Sequence, residues 1–152
     1  MRALALWALL AAPALAQPTS PEDLAFYLGS PWVDVATRLP TPQASTISDG
    51  VGAVRWADLS GEFSHVDADV RDGRLERVVL VPSAEAWPGF KEVAAMMRAR
   101  VGPPGSDGFY SWSDIVAAST DPDAPPEDVQ PFDAMFSVAK GYAVMRAAEP
   151  RR

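Results

Sequence analysis

Two strand-like segments joined by Asp72-Gly73 constrain this chain more than any other feature. Residues 62–70 (EFSHVDADV) alternate with period two, placing Val66, Ala68 and Val70 on one face and Asp67 and Asp69 on the other. Residues 74–82 (RLERVVLVP) return, and uninterrupted alternation puts Leu75, Val79 and Val81 on the Val66 face. Asp-Gly is a strong hairpin signal because both central positions of a two-residue turn need positive φ. An unbroken register sets Asp69 opposite Glu76, a like-charge pair that Arg71 and Arg74 stand close enough to offset. The valine run predicts a strand covered on both sides near its end.

The same acidic letters do not make a calcium loop. An EF-hand loop counted from Asp67 needs oxygen ligands at positions 1, 3 and 5, glycine at 6 and glutamate at 12. Arg71, Asp72 and Val78 occupy positions 5, 6 and 12, so the spacing fails three times. No metal and no cofactor are expected.

Other elements follow from local signals. Ser20-Pro21-Glu22-Asp23 reads as a helix start, with Leu24, Tyr27 and Leu28 on one stripe and Gly29 and Pro31 ending it. Residues 31–39 read as a second short helix or an irregular lead-in, and 40–50 have loop composition. Residues 52–59 predict a strand with Val54 and Trp56 on one face. Phe90, Val93, Ala94, Met97 and Val101 recur at helical spacing, leaving Lys91, Glu92 and Arg98 outside the stripe. Gly102-Pro103-Pro104 stops that helix. Residues 108–114 (GFYSWSD) read as a strand, 119–131 as an acidic, proline-rich loop, and 136–147 as a final strand with Phe136, Val138, Tyr142 and Val144 on one face. The sum is an α+β domain: a mostly antiparallel sheet of about five strands, one amphipathic helix packed on it and a helical N-terminus. A small open barrel plugged by the helix is the alternative.

Residues 1–16 have the order of a secretory signal: Arg2, an apolar run from Ala3 to Ala12, then Ala14-Leu15-Ala16 before the expected cut. That run is shorter than the ~20 residues a membrane span needs. Residues 17–51 form a helical lead-in and loop, 52–148 the core of a single domain covering 20–148, and 149–152 a fraying tail. The expected location is the periplasm or the exterior, with no membrane attachment after cleavage. The chain has no cysteine, which excludes thiol catalysis and stabilisation by disulfides. Its net charge of −7 argues against nucleic acid and anionic membrane surfaces as partners.

Candidate chemistry is sparse. His65 is the sole histidine, and in a strand it shares a face with Asp67, as a base and its orienting acid would. The surface-contact reading of that pair is the blander one. Tyr110 and Trp112 share a strand face by parity and form the candidate binding pair. The leading expectation is a non-enzymatic periplasmic binding module for an envelope protein or a small ligand, through Tyr110 and Trp112 or through the 119–131 loop. The alternative is a small envelope hydrolase or lyase using His65 with Asp67 or Glu62.

Overall fold

Asp72 and Gly73 have φ of 52° and 72°, the left-handed pair that a tight hairpin turn requires. A computed structural model describes Pro18 and residues 20–118 and 131–148 of this chain. The expected signal segment, nearly all of the acidic loop and the C-terminal tail lie outside the described residues. The turn joins strands β3 (Phe63–Arg71) and β4 (Arg74–Pro82). With β1 (Ala44–Ser45), β2 (Gly52–Trp56), β5 (Phe132–Ser137) and β6 (Tyr142–Ala147) they form a six-stranded antiparallel sheet in the order β1-β2-β3-β4-β6-β5. The fold class is α+β.

Register in the central hairpin departs from simple alternation. The partner of Asp69 is Arg77 and the partner of Val70 is Leu75, so Glu76 is the extra residue of a β-bulge. The bulge reverses parity in β4. Val78 and Leu80, not Val79 and Val81, join Leu75 on the buried face, all three fully buried. It also removes the like-charge pair. Arg77 Nε donates to Asp69 Oδ2 at 2.6 Å, and Arg71 lies 3.6 Å from Glu76. Exposed pairs of this kind contribute about 0.2–1 kcal/mol each. Either register buries two further aliphatic side chains beside Leu75, but unbroken alternation would also turn Arg77 to the core. The bulge leaves Arg77 outside and paired with Asp69, avoiding the cost of a buried charge.

The helices lie on one side of this sheet. Helix α1 (Trp32–Val35) is short, α2 spans Trp87–Val101, and α3 spans Trp112–Ala118. The N-terminal segment Pro21–Tyr27 is a 3₁₀ turn rather than an α-helix. Ser20 makes no capping bond and instead donates to Glu22 Oε1 at 3.2 Å. One core joins Leu24, Leu28, Phe90, Val93, Met97 and Ile115 to Trp56, Val66, Val78, Leu80, Phe132 and Met145 of the sheet.

Two further expectations are corrected. Of the expected strand 108–114, Tyr110 forms a single bridge to Ala134, while residues 112–114 open the helix α3. Ser111 Oγ accepts the Asp114 N–H at 3.3 Å, and Asp114 Oδ2 accepts the Ser111 N–H at 3.4 Å, a reciprocal cap that starts α3. Residues 136–147 are not one strand, because a turn ending at Gly141 (φ 78°) separates β5 from β6. Phe136 therefore points to the core side, and Tyr142 and Val144 to the opposite face.

Candidate functional site

The sheet face away from the helices carries a row of charges. Arg55 grips Asp67 with two bonds of 2.7 and 2.9 Å. Next to the Asp69–Arg77 pair, Arg146 stands opposite Arg77 in register and reaches Asp107 at 2.6 Å and Asp133 at 3.4 Å. Its guanidinium also lies 3.7 Å above the Phe109 ring. Burial works against the charge of Arg146, and the two carboxylates overcome that and raise its pKa. Asp107 is held below the usual carboxylate range first by the Phe109 N–H and then by Arg146. This row ties the 102–110 loop to the sheet.

His65 is half-buried on this same face, opposite Val81. Its side chain has no hydrogen-bond partner among the described residues. Asp67 is held by Arg55 through both oxygens, and no hydrogen bond joins it to the imidazole among the described residues. Among the described residues no three acidic or histidine side chains gather into a set that could hold a metal ion.

Tyr110 and Trp112 do not form a pair. Tyr110 is buried at 5% exposure and bridges β5 through Ala134, with backbone bonds of 2.7 and 3.0 Å. Trp112 opens α3, half-buried, with its ring 4.9 Å from that of Phe132. The two residues sit in different elements, and Tyr110 lines a cavity.

That cavity, of about 380 Å³, lies between α2, the 102–110 loop and the end of β5. Helical spacing builds its first wall. Phe90, Val93 and Met97 face the core, and the adjoining stripe of α2 presents Lys91, Ala94, Ala95 and Arg98. Gly102, at φ 85°, ends the helix with its N–H bonded to Arg98 O, and its own carbonyl accepts the Tyr110 hydroxyl at 3.1 Å. Pro104 and Gly108 supply the second wall, Tyr110 and Phe136 the floor and Val138 the rim. The floor is rigid. The Phe136 ring packs 6.3 Å from both Phe90 and Tyr110.

The charge of this lining is opposite to that of the chain. Its charged residues are Lys91 and Arg98, against a net charge of −7 overall. Most other cations are committed: Arg55, Arg71, Arg77 and Arg146 to carboxylates, Arg74 to Gly29 O, and Arg100 to Ala118 O. Lys91 and Arg98 have no ion pair or hydrogen bond from their side chains among the described residues. Arg38 and Lys140 are likewise uncommitted but lie outside the lining. The groove offers cationic donors above an aromatic floor, with no carboxylate or imidazole to move a proton. By helical spacing Lys91 and Arg98 fall outside the apolar stripe, and the stripe by itself gives no hint of a groove. Two cations seven apart, flanking two alanines on one helix face, were the signal available.

No protein-family model, curated protein or solved structure matches this chain. Among the described residues no helix is long and apolar enough to cross a membrane.

Proposed function

We propose that this protein is an exported, non-enzymatic binding module of the periplasm whose ligand seats in the groove between α2 and β5. The observation that carries the reading is the groove itself: about 380 Å³, walled by two elements and a pinned loop, with two cations that have no partner among the described residues over an aromatic floor. Small-molecule sites occupy about 300–1,000 Å³; the groove's volume falls in that range, and its lining sets carbon surface beside two cationic side chains. Tyr110 keeps a role here as part of the floor, while Trp112 supports the fold behind it. Export rests on the signal-like order of residues 1–16.

Amide chemical shifts during titration with a mixed set of small organic fragments test the reading. Perturbations clustered on residues 91–98, 104–110 and 136–138 are the expected outcome. Perturbations centred on His65, Val81 and Tyr142, on the far face of the sheet, would reject the groove and return attention to His65.

A further inference from the structure

We infer that the groove selects a small organic acid, an apolar body carrying one ionised oxyanion group. The inference rests on the groove being the binding site and names what it takes. Lys91 and Arg98 are seven residues apart on α2, which puts their Cα atoms about 10.5 Å apart along the axis and nearly on one line. Ala94 and Ala95 lie between them and rise no higher than a methyl group. An oxyanion resting over the alanines is thus within reach of both long side chains, one from either end. Bulkier residues there would keep them apart.

The remaining lining decides the rest of the ligand. Pro104, Tyr110, Phe136 and Val138 offer carbon surface, and the Tyr110 hydroxyl proton is committed to Gly102 O, so it is no donor to an anion. A cationic ligand meets two like charges. A neutral apolar ligand covers the floor but leaves both cations without a partner. A polyanion such as a nucleic acid gains two contacts and then faces the negative field of the chain. A single oxyanion with a carbon body satisfies both halves of the groove.

The test compares two fluorescent probes that share a carbon skeleton: anilinonaphthalene sulfonate and its uncharged parent, phenylnaphthylamine. Each is titrated into the folded protein and into the variants Lys91→Gln, Arg98→Gln and Ala95→Trp. All three positions are exposed, and unchanged urea midpoints certify that the variants fold. The sulfonate is expected to bind at least about ten-fold more tightly than the parent, and each glutamine variant to weaken it by about ten-fold. Added salt should weaken the sulfonate alone. Ala95→Trp should remove both probes. Equal binding of both probes, lost in Ala95→Trp but indifferent to the glutamine variants, would overturn the anion inference and leave the groove standing. Binding of either probe that survives Ala95→Trp would place it elsewhere and sink both readings.

Discussion

Exchanging one methyl of Val78 or of Val79 for a hydroxyl tests the β4 bulge directly. Threonine keeps the shape and β-branching of valine, so Val78→Thr and Val79→Thr differ mainly in where the hydroxyl lands. Val78 is 0% exposed, opposite Ala68 and Met145, neither of which offers more than a weak sulfur acceptor. A hydroxyl buried without a partner costs about 1–3 kcal/mol on protein mutational scales. Val79 is half-buried on the far face, opposite Asp67 and Val144, where water reaches the new group. The cost there stays within about 0.5 kcal/mol. With a urea m-value near 2 kcal/mol/M, the midpoint should fall by roughly 0.5–1.5 M for Val78→Thr and by no more than about 0.25 M for Val79→Thr. Equilibrium urea unfolding followed by tryptophan fluorescence measures both. A larger loss at Val79 would refute the bulge, because only the unbulged register turns Val79 and Val81 to the core.

Two further outcomes follow from local geometry. Burial raises the pKa of Glu22 above 4.5; its Ser20 bond opposes this, and Asp23 and Glu62 add to the rise. The folded state thus prefers the protonated acid, and stability is lost as pH rises from 4.5 through the raised value. Glu22→Gln should melt higher than the parent at neutral pH, with the difference closing below pH 4.5; a constant difference across thermal scans at several pH values would contradict the assignment. Gly73→Ala should cost about 1–2 kcal/mol, since φ is 72° but a Cβ there meets nothing within 4 Å. Gly52→Ala should cost more, because at φ 153° its Cβ would also stand 2.6 Å from Thr46 O; equal losses in urea unfolding would count against the tight β1–β2 hairpin.

Much of the fold was legible because its signals are local. Asp72-Gly73 names its own turn, the Phe90–Val101 spacing its own helix, and Gly102-Pro103 its end. Residues 108–114 misled because aromatic residues favour strands, while the signal that wins is the Ser111–Asp114 cap. That signal was present in the letters and could have been found. The turn within 136–147 was also visible in Gly141, which needs positive φ.

The sequence by itself determined an α+β domain with a central hairpin, one amphipathic helix and a net negative charge. Tertiary structure decided which valines of β4 face the core, because a bulge at Glu76 is settled by the neighbours each strand can bury against. It also decided that Lys91 and Arg98 matter. Being unpaired is a property of surroundings: a loop held by Asp107 to Arg146 and by Tyr110 to Gly102 folds over their helix face and turns two exposed cations into the rim of a groove.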